Sequence, residues 1–222
     1  MLVKICGLTR HSDAALAEAL GADFIGVIMA GGPRHLSEKA AAHVLGPRRH
    51  SVRRTVVFGD QSLSEIERIA LSLDLDAVQL HGQHVSAGAI DWLRKRLNCA
   101  VWPVLRVEGT TLPENSHAIG AAAGTLLLDA KVVGQLGGTG VALDWNGLSD
   151  AVQSLRNELP KLQIILAGGL NASNVSVAAQ LLSPDVVDVS SGVESTPGVK
   201  DADSLEAFIL AARAITGINE RA

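Results

Sequence analysis

Tyrosine is absent from the 222 residues, and three Trp and three Phe make up the whole aromatic complement. A core must therefore be built from Val, Ile, Leu and Ala, within a hydrophobic content of 47%. Cysteine is scarce: Cys6 and Cys99 are isolated, with no second Cys two to four residues away from either. That spacing excludes an obvious zinc site and argues against a disulfide framework. No window approaches ~18 consecutive apolar residues, and the opening MLVKICGL lacks a signal peptide's long apolar stretch and cleavage site. A cytoplasmic location with no membrane partner is the expectation. Charge of one sign is lacking too: the net charge is -4, with acids and bases interspersed. The one basic cluster, Arg48, Arg49, His50, Arg53 and Arg54, reads as a solvated face between a helix and a strand, so no nucleic-acid partner is expected.

What is present is an alternation of short, nearly continuous apolar runs with longer helical patterns. Strands are expected at Leu2–Cys6, Asp23–Ile28, Arg54–Phe58, Ala77–Gln79, Ala100–Val107, Thr125–Asp129, Gln163–Ala167 and Val186–Val189. Runs of this kind suit parallel strands buried on both faces. Helices are expected at Ser12–Leu20, Ser37–Leu45, Leu63–Leu73, Ser86–Leu97, Pro113–Ala123, Asp144–Glu158, Ala172–Leu182 and Ala202–Ile215. Ser12, Ser37 and Asn171 are candidate caps, each placing a side-chain oxygen beside the orphan amides of a first turn.

Eight βα units fit either an open doubly wound sheet or a closed barrel. The first turn, Cys6-Gly7-Leu8-Thr9-Arg10, does not match the glycine fingerprint that a nucleotide-binding open sheet carries there. The expectation is an α/β fold, a (β/α)8 TIM barrel with parallel strands, covering residues 1–222 as one domain.

In such a barrel the chemistry sits just after the strands. The last two strands end in Ala167-Gly168-Gly169-Leu170 and Ser190-Ser191-Gly192-Val193-Glu194. Glycines let backbone amides approach an anion and serines add donors, so these two turns read as a phosphate site; plain turn formation is the alternative. Cys6 closes the first strand, and on spacing alone it reads equally as a small buried hydrophobe or as a functional thiol. Asp129 closes the apolar run Leu126-Leu127-Leu128, where a partly desolvated carboxyl can serve as a proton donor near neutrality. Arg34 has the planar fork to grip a carboxylate, or is a surface loop residue. His81 could line the site or be structural. Gly137-Gly138-Thr139-Gly140 lies in a loop long enough to suggest a substrate cover.

In order along the chain, Val3-Lys4-Ile5-Cys6-Gly7-Leu8-Thr9, Pro33-Arg34, Val78-Gln79-Leu80-His81-Gly82, Leu127-Leu128-Asp129, Gly137–Gly140, Asp144-Trp145, Leu166–Leu170 and Asp188–Glu194 with Pro197-Gly198, Lys200 and Asp201 form a specific combination. It resembles the phosphoribosylanthranilate isomerase family of tryptophan biosynthesis over nearly the whole chain. The resemblance implies an Amadori rearrangement of N-(5-phosphoribosyl)anthranilate to an open-chain aminodeoxyribulose phosphate. It implies Asp129 as the acid at the furanose ring oxygen and Cys6 thiolate as the base at C2. It also implies Arg34 on the anthranilate carboxylate, Asp188 orienting the amine, and no metal or cofactor. A thiol base of this kind needs a lowered pKa, with nearby phosphate-binding dipoles as the expected help. The partner expected is a small phosphoribosyl molecule, and a monomer is expected in preference to a dimer. Two departures from the family pattern, Met29-Ala30-Gly31-Gly32 before Pro33 and Leu143 before Asp144, bear on affinity; Gly59-Asp60-Gln61 after the third strand is a third. The rival readings are a phosphoribosyl-aminosugar isomerase of histidine biosynthesis, which uses two aspartates, and a non-catalytic sugar-phosphate-binding barrel.

Overall fold

The computed structural model describes residues 1–82, 84–130 and 144–219. Its strands are β1 Leu2–Ile5, β2 Phe24–Ile28, β3 Arg53–Phe58, β4 Ala77–Leu80, β5 Ala100–Val107, β6 Thr125–Ala130, β7 Gln163–Leu166 and β8 Val186–Val189. They close into one parallel barrel in chain order, with β8 pairing back onto β1. The helices are α1 His11–Ala19, α2 Glu38–Leu45, α3 Leu63–Ser72, α4 Ala87–Arg94, α5 Ser116–Ala123, α6 Trp145–Glu158, α7 Val175–Leu182 and α8 Ala202–Asn219. The expected (β/α)8 barrel is thus the observed one. The loop Gly137–Gly140, Lys131 and Leu143 lie outside the described residues.

Strand side chains alternate between two cores. Inside the barrel, Phe24, Trp102, Val104, Leu127, Ile165 and Val186 pack together. Phe24 and Trp102 meet edge to face at 4.8 Å, and the Arg53 guanidinium lies 3.9 Å above the Phe24 ring. Outside, Val3, Ile5, Val56, Phe58, Leu126, Leu128 and Ile164 pack under helix residues such as Ile66, Ile90, Leu148 and Phe208. Each fully buried Leu or Ile of this shell contributes about 1.5–3 kcal/mol. Both strand faces are covered, which is why the strands read as unbroken apolar runs.

Ser37 caps α2 as expected, accepting from the Ala40 amide. Ser12 does not cap α1: that helix begins one residue earlier, behind Arg10, which makes no side-chain cap. Nor does Asn171 cap α7, which begins at Val175; Asn171 instead accepts from the Ser173 amide at 2.9 Å and forms a turn ahead of the helix. The basic cluster differs from a plain solvated face. Arg54 is buried and donates to the carbonyls of Leu73 and Gly46, while Arg48 forks onto Asp76 at 2.7 Å. A short ribbon that the periodicity did not signal follows β8: a single 3-10 turn, Ser191–Val193, then β9 Glu194–Thr196 paired antiparallel with β10 Val199–Lys200.

Candidate active site

Alternation along a strand puts every second side chain inside the barrel. On β1 and its end this is Leu2, Lys4 and Cys6; on β8, Val186, Asp188 and Ser190; on β6, Leu127 and Asp129; on β4, Ala77, Gln79 and His81. The lower members are apolar and fill the barrel. The upper members open into a cavity of about 570 Å³ at the C-terminal ends of the strands, a size suited to a small-molecule ligand. Cys6, Asp129, Arg34, Asp188, Gly168, Gly169, Ser190, Ser191 and Gly192 all line it. β1 and β6 are separated by β8 and β7 around the ring, so Cys6 and Asp129 reach the cavity from strands that are not neighbours.

The floor is polar and fully enclosed. Lys4 has no solvent exposure, and its ammonium donates to Asp188 Oδ2 at 2.7 Å and Gln79 Oε1 at 2.9 Å. Its Nζ and the Cys6 sulfur both lie within 3.5 Å of the point where a Cβ on Gly26 would stand. Burial by itself drives this ammonium toward its neutral form; Asp188 and Cys6 more than offset that, and the Lys4 pKa lies above its ordinary value. The expected lowering of the Cys6 pKa is not found. Burial pushes the thiol above its ordinary value, Lys4 opposes this, and Asp188 adds to it. Cys6 is thus mainly a thiol at neutral pH and a stronger base once ionised.

Asp129 stands beside two nitrogen groups. Its Oδ2 lies 3.8 Å from Arg106 Nη1 and 3.9 Å from His81 Nε2. Arg106 Nη1 in turn lies 3.3 Å from His81 Nε2. Arg106 is always a donor, so in this contact the ring nitrogen accepts. His81 therefore belongs to the site, through partners on β5 and β6 that its local sequence does not show.

Arg34 lines the cavity and is clasped from behind. Its Nε and Nη2 fork onto Glu194, whose other contact is Lys200 Nζ at 2.8 Å. Burial favours the neutral form of Glu194, but Arg34 and Lys200 together hold its carboxyl below the ordinary value. At the turns after β7 and β8 the backbone crowds closely. A Cβ on Gly192 would fall 1.9 Å from the Leu170 carbonyl oxygen, so only glycine lets these two turns touch. The hydroxyl of Ser190 and Oδ1 of Asp188 are buried, line the same cavity and have no partner among the described residues. The segment Gly59-Asp60-Gln61 supports the wall: Gln61 accepts from the Gly59 amide and donates to the Met29 carbonyl, each at 2.8 Å.

Sequence reasoning gave no role to Lys4, Gln79, Glu194 or Lys200, although all four stand in stretches that carry the family resemblance. The two-residue period signalled the first: Lys4 sits two before Cys6, on the same strand face. Glu194 and Lys200 belong to the unexpected ribbon, whose strands are too short to show a period.

The model of the N-(5'phosphoribosyl)anthranilate (PRA) isomerase family matches residues 3–211. The chain belongs to this family. The N-(5'-phosphoribosyl)anthranilate isomerase of Desulfovibrio desulfuricans is 39% identical over 96% of this chain and 95% of its own length. A Listeria monocytogenes isomerase of the same name is 35% identical over 97% of this chain and all of its own. Among solved structures, the phosphoribosyl anthranilate isomerase of Thermus thermophilus superposes with a TM-score of 0.79 at 31% identity, covering 97% of this chain and 100% of that one. Another, at TM-score 0.76 and 29% identity over 96% of this chain and 100% of that one, is in complex with reduced 1-(o-carboxyphenylamino)-1-deoxyribulose 5-phosphate.

Proposed function

We propose that this isomerase converts N-(5-phosphoribosyl)anthranilate to 1-(2-carboxyphenylamino)-1-deoxyribulose 5-phosphate through Asp129 as acid and Cys6 as base. The observation that carries this is the arrangement of one cavity. A thiol from the end of β1 and a carboxyl from β6 face it, with a guanidinium from the loop after β2 and two glycine-bearing turns after β7 and β8. A substrate with a carboxylate at one end and a phosphate at the other fits that order.

Asp129 gives its proton to the furanose ring oxygen as the C1–O bond breaks, and the nitrogen lone pair forms the Schiff base. Cys6, as thiolate, takes the proton from C2. The C2–H electron pair becomes the C1–C2 double bond of an enolamine as the C1=N pair returns to nitrogen. Tautomerisation moves the enol proton to C1 and leaves the C2 ketone. One proton has then passed from Asp129 to substrate and one from substrate to Cys6, so exchange with solvent resets both groups. Arg34 holds the anthranilate carboxylate, Asp188 Oδ1 accepts from the substrate amine, and Gly168, Gly169, Ser190, Ser191 and Gly192 surround the phosphate. Both proton transfers to and from the protein use side chains of this chain alone.

The same proposal includes a single barrel domain, a monomer and a cytoplasmic setting. Among the described residues no helix is long and apolar enough to cross a membrane. A relative from Thermotoga maritima is described as dimeric, so sedimentation of the purified chain decides its own state. The function is tested by following the loss of substrate fluorescence. Cys6→Ala and Asp129→Asn are each expected to lower kcat by about 10²–10⁴ while a reduced product analogue still binds. Near-normal kcat in either variant overturns the assignment of that residue.

A further inference from the structure

The floor of the cavity holds a charge that the steps above do not use. Lys4 is wholly buried inside the barrel, where an ammonium is costly unless each N–H finds a partner. Two of its donors have partners on two strands, Gln79 Oε1 on β4 and Asp188 Oδ2 on β8, and the Cys6 sulfur stands two residues on along the same face of β1. The space for it comes from β2. A Cβ on Gly26 would lie 3.1 Å from Lys4 Cε and 3.3 Å from Cys6 Sγ, so a side chain there would press on both groups at once. Register alone would set Lys4 opposite Asp188, as the two are directly paired across β1 and β8. Register does not demand the bond to the Gln79 amide oxygen, nor a sulfur on the same face beside the ammonium.

We propose that Lys4 is a positioning residue for the isomerisation, its buried ammonium holding the Cys6 sulfur in place and balancing the negative charge that the sulfur carries as base. This rests on the reading of Cys6 as the base. Asp188 shares the same ammonium. It keeps Lys4 charged, and it tempers the pull on Cys6, because its own negative charge disfavours a second one nearby. The charged groups facing Cys6 are Lys4, Asp188, Lys200 and Arg34. Of these, Lys200 and Arg34 are both engaged by Glu194, while Lys4 is the cation two residues from Cys6 on the same strand face. When Cys6 takes the C2 proton, its charge disappears and the ammonium remains paired with Asp188, so the site has an ionic partner for the thiolate in one state and for the carboxylate in both.

The test reads the thiol directly. In a Cys99→Ser background Cys6 is the sole cysteine, and its rate of alkylation by iodoacetamide is followed against pH, with the modified peptide quantified by mass spectrometry. Lys4→Met is expected to move the profile up by about one unit or more, and Asp188→Asn to move it down. Opposite shifts are what a charge triad produces; a purely structural lysine would change stability and leave the profile in place. Should Lys4→Met not fold, Lys4→Met with Asp188→Asn removes both buried charges together, and its profile is expected to lie above that of Asp188→Asn alone. Coincident profiles in the lysine variant, or in this pair, overturn the proposal, as does an unmoved profile in Asp188→Asn. In turnover, Lys4→Met is expected to lower kcat about a hundredfold with KM changed by less than about threefold. Cys6→Ala keeps the two readings apart: full activity there would remove Cys6 as base while the alkylation profiles still report whether Lys4 governs its charge.

Discussion

Arg34 and Glu194, 160 residues apart, meet in a fork in which Nε donates at 2.9 Å and Nη2 at 2.7 Å. The pair ties the loop after β2 to the start of the ribbon after β8. In the proposed reaction the fork aims the guanidinium and Nη1 stays outside it, so a carboxylate of the protein orients the cation that a carboxylate of the substrate meets. Glu194→Gln is expected to raise KM about tenfold with a smaller change in kcat, the pattern of lost ground-state positioning. Loss of the ion pair also leaves Arg34 and Lys200 facing each other, and is expected to cost about 2 kcal/mol of stability, less than a fully enclosed pair. Steady-state kinetics and denaturant titration check both.

The same carboxylate has a pH signature. Its folded pKa lies below the ordinary value, so the unfolded chain binds more protons at acid pH and the folded form loses this contribution as pH falls. Stability is therefore fully present above about pH 4.3, the unfolded value of a glutamate, and declines below it. Glu194→Gln is expected to flatten part of that acid decline. Thermal melts of both proteins between pH 3 and 6 measure the difference; parallel curves would show that Glu194 does not contribute.

Cys99 offers the opposite sign at the other end of the scale. It sits just before β5, away from the cavity, and burial together with the charge of Asp76 pushes its thiol up to about 11. An unfolded cysteine ionises near 8.5. Between these values the folded protein keeps a proton that the unfolded chain releases, so stability falls as pH rises through this window. Cys99→Ser is expected to lose less stability than the parent from pH 8.5 to 11, with kcat and KM at pH 7.5 unchanged within about twofold. An activity loss in this variant would contradict its placement outside the site.

Gly192 tests the contact between the last two turns. Its Cβ position lies 1.9 Å from the Leu170 carbonyl oxygen, and that atom is backbone, with no flexible tip to move aside. Gly192→Ala is expected to displace the turn after β8, raise KM for the phosphorylated substrate more than tenfold and lower stability by about 2 kcal/mol. Inorganic phosphate, tested as a competitive inhibitor, is expected to lose potency in parallel. Unchanged inhibition by phosphate would place the anion elsewhere.

Local chemistry along the chain was enough to determine the eightfold strand–helix alternation, because strands covered on both faces must be apolar throughout while the helices keep a 3.6-residue period. It also determined where side chains with chemistry can stand. Cys6, Asp129 and the glycine-serine turns mark the points where apolar runs stop, and a barrel gathers those points at one end. What it did not determine was which ionic groups meet. Lys4 and Asp188 are 184 residues apart, His81 reaches Asp129 across β5, and Arg34 finds its partner in a ribbon too short to show a period. Even the direction of the Cys6 pKa came out opposite to the expectation, since burial outweighs the lysine beneath it. Charge energies depend on distance and desolvation, and closing the barrel is what sets both.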